Sequence, residues 1–159
     1  MEYRNLIKFF SAFVILYCPP VFAAEITLPQ EISRETALQI VLAPKRWADP
    51  DNLYNASMDI GVYSSCRGVS EATISKARRD IEFGVSLGTT EFDVENRIGY
   101  RNDRLFAKLM QVSDRGFKNG LREGKSMRGQ SGWRDLCNFI EKTWIDGDLK
   151  DLPTELVVR

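Results

Sequence analysis

Two cysteines carry the clearest chemistry in this sequence, because paired thiols form a disulfide in an oxidising compartment. Beyond the first 23 residues, the chain contains only Cys66 and Cys137. With a single pair the connectivity is not ambiguous, so the sequence predicts a structural disulfide between them. A redox pair or a metal site is disfavoured, because there is no Cys-x-x-Cys motif and the sequence contains no histidine. We therefore expect no bound metal.

Other catalytic groups do not form a pattern typical of an enzyme. The missing histidine removes the commonest general base, and the chain has no phosphate-binding loop, cofactor motif or Gly-x-Ser-x-Gly elbow. Ser64 and Ser65 adjoin Cys66 without a histidine to activate them. The sequence therefore favours a protein without enzymatic activity or cofactor, with carboxylate-only catalysis as the alternative. The neighbouring carboxylates look like helix-end and surface charges: Asp80 with Glu82, Glu91 with Asp93, and Asp146 with Asp148.

The first segment has the layout of a secretory signal peptide. Arg4 and Lys8 precede the apolar run FFSAFVILY, and small residues lead to a cleavage point after Ala23. We expect cleavage there, which would leave a mature chain of residues 24–159 in the periplasm or outside the cell. Retention of residues 1–23 as an uncleaved anchor is the alternative interpretation.

The mature chain would be close to neutral. The full sequence has 22 Lys and Arg against 22 Asp and Glu, and loss of Arg4, Lys8 and Glu2 would leave 20 against 21. This balance argues against a general nucleic-acid or membrane-surface binder. No apolar run after the signal segment is long enough to span a bilayer, and the mature length suits one domain with its own core.

Helical periodicity dominates after an extended start, and it predicts an all-α bundle of four to five helices stapled by the disulfide. Asp49-Pro50 and Ser70 are typical of helix starts, and Gly88 is typical of a helix end. Ser131 is predicted to open the last helix. The predicted helices cover residues 34–42, 51–65, 70–87, 91–123 and 131–145.

The longest predicted helix carries an unusual row of glycines. Gly116, Gly120 and Gly124 are spaced four residues apart, and glycine costs about 1 kcal/mol relative to alanine inside a helix. The row therefore predicts a close-packed surface, with Trp133 or Trp144 of the last helix as the expected neighbour. A groove left open for a partner at the glycines is the alternative. The row continues an apolar stripe that comprises Ile98, Leu105, Leu109 and Val112.

The opposite face of the same helix is basic. We interpret it either as a solvated face or as a docking surface for an acidic partner. The candidate contacts are Arg115, Lys118 and Arg122. The whole set of cations is Arg104, Lys108, Arg115, Lys118, Arg122 and Lys125. A second candidate contact region is aromatic and comprises Trp47, Tyr54 and Tyr63.

By elimination these features favour a binding role. In layout the chain resembles small exported helical proteins with one long-range disulfide, such as the bacterial periplasmic immunity proteins that block cell-wall amidases, or secretion pilotins. No motif assigns either family, so the resemblance implies no functional residues. We expect an exported protein that masks or inhibits another exported protein. A pilotin-like or chaperone-like accessory of the envelope or of a secretion system is the alternative.

Overall fold

The computed structural model describes residues 24–28, 33–34, 43–148 and 157–158. The predicted signal peptide lies outside these ranges, as does all but the first residue of the predicted helix at 34–42. The elements in chain order are strand β1 (Glu25–Thr27), a 3-10 helix (Ala43–Ala48), α1 (Pro50–Tyr63), α2 (Glu71–Gly88), β2 (Thr90–Asp93), β3 (Ile98–Arg101), α3 (Asp103–Met127), α4 (Trp133–Ile140), a π-helix (Glu141–Asp148) and β4 (Val157–Val158).

Side-chain caps fix the starts of the first two helices. The Asp49 carboxylate accepts two backbone N–H bonds of 2.9 Å from the first turn of α1, and Pro50 occupies a position that needs no N–H. The Ser70 hydroxyl accepts a bond of 3.1 Å from the backbone N–H of Thr73. Both helices therefore begin where the sequence places a cap, and α2 ends at Gly88.

The first part of the predicted helix at 91–123 is wrong, because β2 and β3 form a hairpin there. The Asp93 carboxylate accepts backbone N–H bonds within the turn, and Arg97 adopts a left-handed conformation with φ of 57°. The long helix begins only after Asn102, whose side chain caps its first turn.

A small antiparallel sheet with the strand order β2-β3-β1-β4 completes a mostly helical fold. In β1, Ile26 is fully buried and pairs with Gly99 on one side and Val158 on the other. The ring of Phe92 covers Gly99, since a Cβ there would lie 2.6 Å from the ring. The extended start is thus a real strand, and the predicted helical fold is present with this small sheet added to it.

Helices α1 and α3 pack with their backbones in contact. A Cβ on Gly116 would lie 2.5 Å from a carbonyl oxygen of α1, one on Gly124 would lie 2.8 Å away, and one on Gly120 would overlap its oxygen. Each of these glycines faces a residue of α1 that lies 62 positions earlier in the sequence. Because the two sets of residues advance in the same direction, the two helices are parallel. The facing carbonyls belong to Tyr54 for Gly116, Met58 for Gly120 and Val62 for Gly124.

Small residues on α1 complete this contact. A Cβ on Gly61 would overlap the carbonyl oxygen of Phe117, and the hydroxyls of Ser57 and Ser113 share a buried hydrogen bond of 2.8 Å. The predicted close packing is therefore present, but the expected tryptophan neighbour is wrong, because the glycine row meets helix backbone.

A tryptophan does pack on a glycine elsewhere in the core. Trp47 is only 2% exposed and lies against Gly84 of α2, where a Cβ would approach the indole within 2.8 Å. This ring belongs to the larger of two apolar clusters, which is formed by Trp47, Leu53, Ala56, Ile60, Ala77, Ile81, Val85 and Leu109.

The smaller cluster surrounds the disulfide between Cys66 and Cys137, which confirms the prediction. The two Cα atoms are 6.0 Å apart, and the residues are 71 positions apart in sequence. The bond ties the segment after α1 to the middle of α4. The other buried members of this cluster are Val62, Tyr63 and Ile140.

The predicted last helix at 131–145 is an α-helix only as far as Ile140. Ser131 is not its N-cap residue, because Gly132 occupies that position with φ of 80°. No side chain therefore caps the first turn of this helix. The chain continues as a π-helix, from which the indole of Trp144 donates a hydrogen bond of 2.8 Å to Asp59 on α1. The pKa of Asp59 is raised above its ordinary value. Burial is the largest cause and the charge of Glu123 adds to it, whereas the Trp144 hydrogen bond opposes the rise.

Removing the disulfide should destabilise the fold strongly. We expect the double variant Cys66→Ser/Cys137→Ser to lose about 2–5 kcal/mol of unfolding free energy, because the unfolded chain regains the freedom of a long loop. Urea unfolding followed by far-UV circular dichroism measures this loss. The wild type in excess reductant serves as the comparison, and an unchanged midpoint in the double variant would contradict a structural role.

A methyl group at the centre of the glycine row should also destabilise the protein. Gly120→Ala improves helix propensity by about 1 kcal/mol, but we expect a net loss of about 1–3 kcal/mol because the new Cβ overlaps the Met58 carbonyl. Ala107→Gly, at an exposed position of the same helix, measures the propensity effect alone. Denaturant unfolding compares the two, and a more stable Gly120→Ala would refute backbone contact.

Candidate protein-binding face

The outer face of α3 is rich in cations, and we call this surface the basic face. Its cations are all exposed, and they span about 32 Å at about 1.5 Å per residue. Two of the three acidic residues of α3 form ion pairs away from this face, Asp114 with Arg78 and Asp103 with Arg101, and the third, Glu123, is exposed beside it. The basic face comprises Arg104, Lys108, Arg115, Lys118, Arg122 and Lys125.

The cations of the basic face form no ion pair with any residue in the described ranges. Arg122 donates to the side chain of Asn119, and the other five make no hydrogen bond or ion pair with any described residue. Lys118 and Arg122 are also like charges one turn apart. Such pairs each destabilise a helix by about 0.2–0.5 kcal/mol, so this arrangement does not serve helix stability.

Part of the basic face is held in place through α1. The Asn119 amide donates a hydrogen bond of 2.8 Å to the hydroxyl of Tyr54, and its oxygen accepts one of 3.0 Å from Arg122. Tyr54 also lines a shallow cleft of about 380 Å³ with Arg115 and Asp51. The middle of the face is therefore partly ordered before any partner binds.

The structure separates the five candidate contact residues into two groups. Arg115, Lys118 and Arg122 are exposed on the basic face, whereas Gly116 and Gly120 lie on the opposite side of α3. Those glycines are covered by α1, so they form no open groove in this structure.

The predicted aromatic contact region is wrong, because its members belong to the interior. Trp47 is 2% exposed and Tyr63 is 5% exposed, while Tyr54 is half-buried and bonded to Asn119. These aromatic side chains occupy positions in the core. Amino-acid composition alone does not distinguish such positions from positions in an interface.

Among the carboxylates, Asp80 departs from the expected surface role. It is buried on α2, 6% exposed, and accepts a hydrogen bond of 2.5 Å from the exposed Lys76 one turn earlier. No group of three or more metal-ligating side chains occurs among the described residues. None of the helices in those ranges combines the length and apolarity that crossing a bilayer requires.

Sequence reasoning missed an open cleft beside the disulfide, which we call the disulfide cleft. Its volume is about 560 Å³. Gly68 and Gly129 lie at turns in its walls and have left-handed φ angles of 87°. In the sequence, these two glycines were the only indication of the cleft. The cleft is lined by Tyr63, Cys66, Arg67, Gly68, Val69, Gly129, Gln130, Trp133, Arg134, Cys137, Asn138 and Glu141.

Tyr63 at the base of this cleft is held as a neutral phenol. Burial, a hydrogen bond to Glu141 and the negative charges of Glu141 and Asp146 raise its pKa from 10.0 to about 12. A phenol whose pKa is raised by folding contributes stability below the unfolded value, and this contribution is lost as the pH rises through the folded value.

The wild type should lose stability between pH 10 and 12, because the unfolded tyrosine ionises before the folded one. Tyr63→Phe should show a flatter dependence of unfolding free energy on pH in this window. Denaturant unfolding at several pH values measures both slopes, with Tyr100→Phe as a control at a 56% exposed tyrosine. Equal slopes in the wild type and Tyr63→Phe would contradict the shift.

Comparison with known proteins adds no assignment to this geometry. No protein-family model, curated protein or solved structure matches the chain.

Proposed function

We propose that this chain is an exported binding protein that masks or inhibits another exported protein through the basic face. The observation that carries the proposal is the set of six exposed cations on one face of α3, none of which forms an ion pair in the described ranges. Neutralisation by acidic groups of a partner would relieve their mutual repulsion. Complementary charge of this kind favours fast and selective association.

The support behind the basic face also suits a binding role. The inner side of α3 rests on the α1 backbone at Gly116 and Gly120, so the helix cannot easily shift or rotate. A surface that is rigid before binding loses little conformational entropy on association. The face therefore offers a partner cations at fixed spacings.

Export of the chain is part of the proposal. A disulfide between Cys66 and Cys137 suits an oxidising compartment, and the first residues have the composition of a signal peptide. The acidic partner would then share that compartment.

Charge reversal on the basic face should abolish partner capture without unfolding the protein. We expect Lys118→Glu/Arg122→Glu to change unfolding free energy by under about 0.5 kcal/mol, since both residues are exposed. Immobilised wild type and variant are incubated with an exported-protein fraction from the source cells, and the retained proteins are quantified by mass spectrometry. A partner should be retained by the wild type, lost from the variant and released as salt rises.

The matched control is Arg79→Glu/Lys142→Glu, which makes the same change in net charge at exposed positions away from the basic face. This control should retain the partner. Equal retention by both double variants would refute docking on the basic face. A retained protein that belongs to an envelope or secretion assembly would instead favour the accessory role.

A further inference from the structure

The walls of the disulfide cleft are fixed by the loop between α3 and α4. The Arg128 guanidinium donates bonds of 3.2 and 2.8 Å to the carbonyl oxygen of Ser65, next to the disulfide. The side-chain amide of Gln130 donates a hydrogen bond of 3.2 Å to the carbonyl oxygen of Ser126 in the last turn of α3. Because these bonds tie the start of the loop to α3 and to the segment beside the disulfide, the cleft exists before any ligand enters it.

The rim of the cleft is suited to carboxylates. Arg67 and Arg134 are exposed on it, and neither makes an ion pair with a described residue. The start of α4 at Gly132 has no side-chain cap, and the Trp133 N–H donates to the carbonyl oxygen of Gln130. Glu141 is the one carboxylate among the residues that line the cleft, and its charge acts on Tyr63.

The interior of the cleft is suited to an aromatic side chain. The half-buried ring of Trp133 lines it together with Val69 and the disulfide, and these groups present apolar surface. Aromatic rings gain from offset or edge-to-face contacts with one another, and a buried aromatic anchor often dominates the energy of an interface. A volume of about 560 Å³ lies within the range of known ligand pockets.

The cleft adjoins the end of the basic face. Lys125 occupies the last turn of α3, and Gln130 joins that turn to the cleft wall through Ser126. An acidic segment lying along α3 would therefore reach the cleft at its C-terminal end.

We propose that the disulfide cleft is an anchor pocket for an acidic peptide segment of the partner, and that it receives an aromatic side chain flanked by carboxylates. The carboxylates bind Arg67 and Arg134, and the aromatic ring packs against Trp133. Further acidic residues of the same segment lie along the basic face. This inference rests on the proposed function, since it names the chemistry of the partner.

The test is a titration of isotope-labelled protein, observed by nuclear magnetic resonance, with a glutamate-rich peptide that contains one phenylalanine. The control peptide has serine in place of phenylalanine. We expect the first peptide to shift the backbone amides of Gly68 and Gly129, the indole N–H of Trp133, and the amides of Lys118 and Arg122. The control peptide should shift only the amides on α3.

A variant pair tests the arginines directly. Arg67→Gln/Arg134→Gln should weaken binding of the phenylalanine peptide by about tenfold, since two charge-assisted contacts are lost. The matched control Arg79→Gln/Lys142→Gln should bind as the wild type does.

The outcomes separate this inference from the proposed function. Shifts confined to α3 would overturn the anchor pocket and leave the basic face supported. Shifts confined to the cleft would support the anchor pocket and contradict the basic face, and the absence of both would contradict both proposals. Cleft shifts that persist unchanged with the serine peptide or with Arg67→Gln/Arg134→Gln would also overturn the anchor pocket.

Discussion

The backbone contact between α1 and α3 is the constraint on which the rest of the structure depends. Gly116, Gly120 and Gly124 admit the carbonyl oxygens of α1 at distances that a side chain at any of them would disrupt. Glycine is an unfavourable helix residue, so this proximity is obtained at a cost in helix propensity. As a result, the two helices have little freedom to move relative to each other. The hairpin, α2 and α4 are positioned relative to this helix pair.

This constraint divides α3 into two sides with different physical roles. The inner side is fixed by packing and by the hydrogen bond between Ser57 and Ser113. The outer side carries cations whose repulsion slightly opposes the helix, and the inner contact compensates for that repulsion. Stability on one side thus permits an arrangement on the other that an isolated helix would disfavour.

Features that depend on the local sequence could be predicted, whereas contacts between distant segments of the chain could not. The caps at Asp49 and Ser70, the disulfide pairing and the exposure of Lys118 each depend on chain-local features or on a single possible pair. The hairpin was missed because two four-residue strands give too short an alternation, and Ile98 happened to fit a helical stripe. The neighbour of the glycine row and the disulfide cleft depend on how distant segments meet, which periodicity does not encode.

The parallel direction of α1 and α3 has a consequence for how the chain folds. Each of their contacts joins residues 62 positions apart, such as Tyr54 with Gly116, so the pair cannot form as a helical hairpin. The intervening α2 and hairpin must first return the chain to the starting end of α1. Contacts of such separation raise the contact order and slow the search for the native state. The protein should therefore fold more slowly than an up-and-down bundle of the same helix content.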